Sequence, residues 1–118
     1  MALDDDDPVE VYRREVANVL PLTKKEAAHL FQEARQSGDP GEPAKRRLIE
    51  NHLHLVLPVA ERYAPSGLSM LDLIQEGNLG LMRALERYSG ADLDDFSAYA
   101  ASCIESFISE ATARSKSH

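Results

Sequence analysis

The sequence predicts an all-α protein that folds as a single domain, and three observations lead to that prediction. Apolar residues recur at helical spacing along most of the chain. Helix-start signals recur as well, and no alternating polar and apolar stretch is long enough for a confident strand. A chain of 118 residues supports one hydrophobic core, so we expect a single compact domain of about five helices over residues 1–118.

The first two predicted helices begin at recognisable caps. Asp7 is suited to cap a helix that has Pro8 at its first position, and Pro21 should end that helix. Thr23 and Glu26 have the spacing of a capping box for the second helix. The inner faces of the two helices are predicted to be Val9, Tyr12, Val16 and Leu20, and then Ala27, Leu30, Phe31 and Ala34.

The third and fourth helices form the middle of the chain. The third is predicted over residues 43–63, with a kink at Pro58 because the proline ring crowds the preceding turn. The fourth begins after Ser69 and continues to about residue 88. Gly77 and Gly80 lie inside it, which indicates that a neighbouring backbone approaches the helix closely there.

A fifth helix follows, with Asp94 or Asp95 as its cap. Its predicted inner face is Phe96, Tyr99, Ala100, Cys103, Ile104, Phe107, Ile108 and Ala111. Residues 1–7 are expected to be a disordered acidic terminus. Residues 113–118 are expected to fray, because they have little apolar surface to bury.

The composition argues against several classes of function. The net charge of −7 argues against binding nucleic acid through total charge. No apolar run of about 18 residues and no secretory signal pattern occur, so we expect no membrane association and a cytoplasmic protein. Cys103 has no cysteine partner, and Glu50 with His54 lacks a third metal ligand. Familiar catalytic motifs are missing, so neither an enzyme nor a cofactor or metal site is expected.

The stretch LDLIQEGNLGLMRALERY, residues 71–88, interleaves polar and apolar positions. Its polar members group within two helical turns and are flanked by Leu71 and Met82. A polar patch with apolar neighbours is typical of a protein-binding surface, although an ordinary exposed helix face has the same composition. The polar members of the patch are Asp72, Gln75, Glu76 and Asn78.

The second region of the primary, sigma-70 class of bacterial sigma factors is similar to AKRRLIENHLHLVLPVAERY and the following GLSMLDLIQEGNLGLMRALERY. The helix that precedes this region in the family is similar to DPVEVYRREVANVLPLTKKEA, so the resemblance covers about residues 7–100. In that family the helical pair docks on the clamp helices of the polymerase beta-prime subunit. The resemblance therefore implies a core-polymerase surface of Leu53, Val56, Leu71, Asp72, Gln75, Glu76, Asn78 and Met82.

The next segment departs from the family pattern. Sigma factors there carry basic residues and aromatic rings, including a Trp pair, which attract and stack the melted promoter strand. This sequence keeps Phe96 and Tyr99 at matching positions, either as base contacts or as core residues, and it contains no Trp. Ser102 and Cys103 stand in place of the Trp pair. Where Arg, Lys and Gln are usual, it has Asp92, Asp95, Glu105 and Ser106.

Three hypotheses follow. In the first, the protein binds core RNA polymerase and regulates initiation or competes with sigma factors, with weak promoter melting. In the second, it is a genuine minimal sigma factor, or the amino-terminal part of one, that engages promoter DNA within the holoenzyme. In the third, it self-associates and keeps only the fold. The resemblance also brings an anti-sigma protein into consideration as a partner.

Overall fold

The computed structural model describes residues 7–36 and 41–116, and this part of the chain is all-α, as predicted. The helices that it describes are α1 (Pro8–Ala17), α2 (Lys24–Ala34), α3 (Gly41–His52), α4 (Val56–Arg62), α5 (Met70–Arg87) and α6 (Leu93–Lys116). Single 3₁₀ turns at Leu53–Leu55 and Ala64–Ser66 flank α4. Residues 1–6 and 117–118 lie outside the described part, so the predicted disorder and fraying there stay predictions, whereas residues 113–116 belong to α6.

Local hydrogen bonds explain where three of the helices begin. The Asp7 carboxylate accepts the Val9 N–H at 2.9 Å, and the Ser69 hydroxyl oxygen accepts the Asp72 N–H at 3.1 Å. Thr23 and Glu26 form the predicted capping box, with bonds of 2.9 and 3.1 Å. These caps are confirmed, because each needs only residues that are neighbours in sequence.

The predicted cap of α6 is wrong by two or three residues. The helix begins at Leu93, and the Asp92 carboxylate accepts the Asp95 N–H at 2.9 Å. Asp92 therefore caps α6. Asp94 and Asp95 lie in its first turn, where negative side chains interact favourably with the positive end of the helix dipole.

The long third helix of the prediction is interrupted instead of kinked. The chain leaves the α-helical path at Leu53–Leu55 and resumes it at Val56. Pro58 lies in the first turn of α4, where backbone N–H groups have no intrahelical acceptor, so the missing N–H costs nothing there. The break thus falls one turn before the proline, and this division raises the number of described α-helices from the predicted five to six.

The first helix is shorter than predicted. It ends at Ala17, and the Leu20 side chain is 75% exposed instead of facing the core. The Leu20 carbonyl accepts hydrogen bonds from Asn51 at 2.8 Å and from Arg47 at 3.2 Å. These bonds fix the α1–α2 connection against α3 through its backbone, which leaves the Leu20 side chain in solvent.

The core lies mainly between α5 and α6, with α2, α3 and α4 packed around this pair. The predicted close approach at the α5 glycines is confirmed. A Cβ atom on Gly80 would lie 2.8 Å from the Cys103 carbonyl oxygen and 3.0 Å from Ile104 Cα. The largest fully buried side chains are Phe31, Phe96, Leu48, Leu73, Leu81, Ile104, Ile108, His52 and Val56.

No helix within the described residues has both the length and the apolar character that a bilayer crossing would require.

Candidate functional site

The outward face of α5 carries a row of exposed apolar side chains. Leu71 is 40% exposed, and Leu79 and Met82 are each 50% exposed, while Leu73 and Leu81 on the opposite face are fully buried. Sequence reasoning identified Leu71 and Met82 but missed Leu79. The helical period contained the missing signal, since Leu79 lies seven residues after Asp72 and four after Gln75 on the same face.

The polar side chains of the predicted patch divide between this face and its two borders. Asp72 and Gln75 are exposed among the apolar residues, whereas Glu76 and Asn78 are half-buried. Glu76 turns toward α6, where Arg114 Nη2 lies 3.8 Å from its carboxylate. Asn78 turns the other way, and its Oδ1 lies 3.1 Å from the Tyr12 hydroxyl of α1. The four polar residues therefore extend across the whole outward face of α5, from its border with α6 to its border with α1.

A cleft of about 390 Å³ opens beside the acidic border, between the first turns of α5 and the last turns of α6. A larger groove of about 740 Å³ runs along the other end of α5, next to α2 and α3, and Met82, Leu85 and Tyr88 form its α5 side. The smaller cleft, beside Glu76, is lined by Leu68, Asp72, Gln75, Glu76, Ala111, Arg114 and Ser115.

The two predicted surface residues before α5 differ in position. Leu53 is half-buried, and its carbonyl oxygen lies 3.4 Å from the same Tyr12 hydroxyl that contacts Asn78. Val56 is 0% exposed, and its Cγ1 would lie 2.6 Å from a Cβ atom on Gly77. The expectation that Val56 lies on the surface is wrong, because α4 packs onto α5 at this glycine. Val56 instead supports the α5 face from beneath.

The two aromatic residues considered as DNA contacts, Phe96 and Tyr99, differ in exposure. Phe96 is 0% exposed, with its ring centroid 5.3 Å from Phe31, 5.2 Å from Tyr88 and 4.8 Å from His52. The interpretation of Phe96 as a core residue is confirmed. The alternative interpretation, a direct contact with a DNA base, is wrong because these rings enclose the side chain. Tyr99 is 36% exposed and lies 6.4 Å from Tyr88.

The acidic side chains of Asp92, Asp95 and Glu105 contact other parts of the chain. Asp92 caps α6, and the Asp95 carboxylate accepts the Tyr88 hydroxyl at 3.1 Å. Glu105 accepts hydrogen bonds from the Tyr63 hydroxyl and the Arg62 guanidinium, and these two donors hold the pKa of that carboxyl below its usual range. Asp95 and Glu105 therefore join α6 to residues at the ends of α5 and α4, whereas Asp92 acts within α6 as its cap.

No group of three or more His, Cys, Asp or Glu side chains is placed to hold a metal ion within the ranges 7–36 and 41–116. In the Glu50–His54 pair, which lacks a third ligand in the sequence, His54 has Nδ1 3.0 Å from the Asn51 carbonyl oxygen.

Comparison with known proteins gives a consistent result. The family model for sigma-70 region 2 matches residues 48–117. The RNA polymerase sigma factor SigA of Lactococcus lactis subsp. cremoris is 38% identical over 108 residues, which are 92% of this chain and 30% of that protein. SigA of Clostridium acetobutylicum is 41% identical over 92% of this chain and 28% of its own length. The chain therefore spans less than a third of these relatives.

Proposed function

The chain belongs to the sigma-70 region 2 family, and from that premise we propose that it binds core RNA polymerase through the outward face of α5. The partner subunit in this proposal is beta-prime, and the protein acts in transcription initiation by binding and not by catalysis. The observation that carries the proposal is the row of exposed Leu71, Leu79 and Met82 beside Asp72 and Gln75. In protein interfaces, apolar side chains that become buried on binding are typically surrounded by polar side chains.

We further propose that promoter melting by this protein is weak. Phe96 is enclosed in the core, so Tyr99 is the remaining ring at a matching position. The chain contains no Trp, and Ser102 and Cys103 offer no ring surface for stacking. Asp92 and Asp95 add negative charge to this segment and Glu105 neutralises Arg62, so the segment would attract phosphates poorly. The protein would then regulate initiation or compete with sigma factors that open promoters.

The exposure of Tyr99 favours a second candidate, a minimal sigma factor or the amino-terminal part of one that still opens promoters. Promoter-dependent transcription by core polymerase plus this protein would support it. The exposed α5 face also fits self-association or an anti-sigma partner, and both would compete with polymerase for Leu79 and Met82. A molecular mass that rises with concentration, without polymerase binding, would support self-association.

The test is an affinity measurement with purified core polymerase. The parent protein should bind, and Asp72→Ala, Gln75→Ala and Glu76→Ala should each weaken binding by about fivefold or more, as hot-spot residues of an interface do. Thermal stability should stay nearly unchanged, because Asp72 and Gln75 are exposed and the Glu76–Arg114 pair is largely open to solvent. Glu110→Ala removes an acidic side chain at an exposed position of α6 that is not part of the proposed surface, so it is the matched control and should bind like the parent. Parental affinity in all three variants would show that the surface is misassigned.

A further inference from the structure

The hydroxyl of Tyr12 lies between two elements of the proposed polymerase-binding surface. It is 3.1 Å from Asn78 Oδ1 on α5 and 3.4 Å from the Leu53 carbonyl oxygen in the turn before α4. The phenol has one proton, which it donates to the nearer acceptor, Asn78 Oδ1, or shares with the Leu53 carbonyl, which also accepts the Val56 N–H. One side chain from α1 therefore contacts both segments in which polymerase-binding residues are expected.

The environment of Tyr12 keeps this contact in place. The ring packs against the hydrophobic core, and burial raises the pKa of Tyr12 to about 12. The hydroxyl therefore remains a hydrogen-bond donor throughout the physiological pH range. No residue of α1 is fully buried, and the Arg13–Glu61 contact at 3.5 Å is exposed on both sides. An exposed pair contributes little, so the Tyr12 contacts matter for seating α1.

Asn78 is the residue that this arrangement constrains. It is half-buried at the border of the outward α5 face, one turn before Met82. An asparagine without a partner would exchange between rotamers, and ordering it on binding would cost affinity. A hydrogen bond already present in the free protein removes part of that cost, which is the general effect of preorganisation.

We infer that Tyr12 is a positioning residue for polymerase binding, whose hydroxyl holds the Asn78 side chain in the orientation that meets the partner. The inference rests on the proposed function. The family model matches residues 48–117, so this role would involve a helix, α1, that lies outside the matched region. In this arrangement α1 supports binding without contacting the polymerase itself.

The variant Tyr12→Phe tests this inference, because it keeps the ring and its packing but removes the hydroxyl. Affinity for core polymerase should fall about three- to tenfold, the range expected from one hydrogen bond. The matched control is Tyr63→Phe, which also removes a hydroxyl hydrogen bond, here to Glu105 between α4 and α6. The control should keep the parental affinity. Parental affinity in Tyr12→Phe, with weakened binding in Asp72→Ala, would overturn the inference and leave the proposed function standing. A parent that does not bind would overturn both.

Two further readouts separate positioning from a loss of general stability. In an Asn78→Ala background, Tyr12→Phe should cost no additional affinity for core polymerase, whereas additive losses would overturn the inference.

In protein labelled with ¹⁵N-asparagine, Tyr12→Phe should shift the side-chain amide signals of Asn78 in the NMR spectrum and leave those of Asn18 and Asn51 in place. Unchanged Asn78 signals would show that the hydroxyl does not hold this side chain.

Discussion

At the scale of single residues, His52 is a polar side chain enclosed in the core. It is 1% exposed, with Nδ1 2.8 Å from the Leu48 carbonyl oxygen and Nε2 3.1 Å from the Ser97 hydroxyl. A carbonyl oxygen only accepts, so Nδ1 carries a proton. Burial lowers the pKa of His52 below its usual 6.5, and the nearby His54 ring acts in the same direction. His52 therefore stays neutral in the folded protein near neutral pH.

This burial makes folding stability depend on pH. The unfolded chain takes up a proton at His52 more readily than the folded chain does, so the free energy of unfolding should fall as the pH drops below about 6.5. In urea denaturation, the parent should be less stable at about pH 5.5 than at about pH 7.5, and His52→Leu should lose less stability over that interval. Glu26 and Glu105, whose pKa values are lowered, stay ionised there. An equal loss in both proteins would rule His52 out as the cause.

Single residues also mark how much of the candidate site the sequence could reveal. Helical spacing groups Leu71, Asp72, Gln75 and Met82 in one exposed patch, and the resemblance to sigma-70 region 2 is what implies that this patch is a docking surface. Val56 was misplaced, because its burial depends on Gly77, whose missing side chain lets α4 approach α5. The glycines indicated that some backbone approaches α5 closely, but they do not say which one, because the contact joins residues far apart in sequence.

At the scale of elements, helix starts were more predictable than helix continuity. A cap such as Ser69 acts within one turn, so sequence order is sufficient information. The break at Leu53–Leu55 was assigned to the wrong turn, because Pro58 is compatible with a new helix beginning just before it. The α1 end was also missed, since Leu20 is held by hydrogen bonds from α3.

The α5–α6 contact provides a prediction for stability. Gly80→Ala should lower the free energy of unfolding by about 1–3 kcal/mol, because the new Cβ meets the α6 backbone and α6 must shift. A gain in helix propensity of up to about 1 kcal/mol opposes this effect and does not cancel it. Glu86→Ala, at an exposed position of the same helix, should change stability by less than about 0.5 kcal/mol. A stabilised Gly80→Ala variant in chemical denaturation would contradict the close approach of these helices.

At the scale of the whole molecule, much of the basic charge is neutralised internally. Lys24 Nζ lies 3.0 Å from the Asp94 carboxylate, and Arg62 pairs with Glu105. Arg114 faces Glu76. With a net charge of −7, the protein has little positive field with which to attract a DNA strand.

Binding to single-stranded DNA should accordingly be very weak. In fluorescence anisotropy at about 150 mM salt, promoter non-template oligonucleotides should show little affinity and little sequence preference, because both phosphate attraction and ring stacking are reduced. Selective binding near micromolar concentration would contradict weak promoter melting and favour the minimal sigma factor. Tyr99→Ala would then be the variant to examine next, since Tyr99 is exposed and Phe96, the other ring at a matching position, is buried.

The central claim is that the outward face of α5 contacts core polymerase, and site-specific photocrosslinking tests it most directly. Leu79 can be replaced by p-benzoylphenylalanine, because its side chain is half exposed and the change should leave the core intact. Ala98, exposed on α6, serves as the control position. Irradiation with core polymerase should yield a crosslink to the beta-prime subunit from Leu79 and none from Ala98. Absence of a beta-prime crosslink from Leu79, or equal crosslinking from Ala98, would contradict the account.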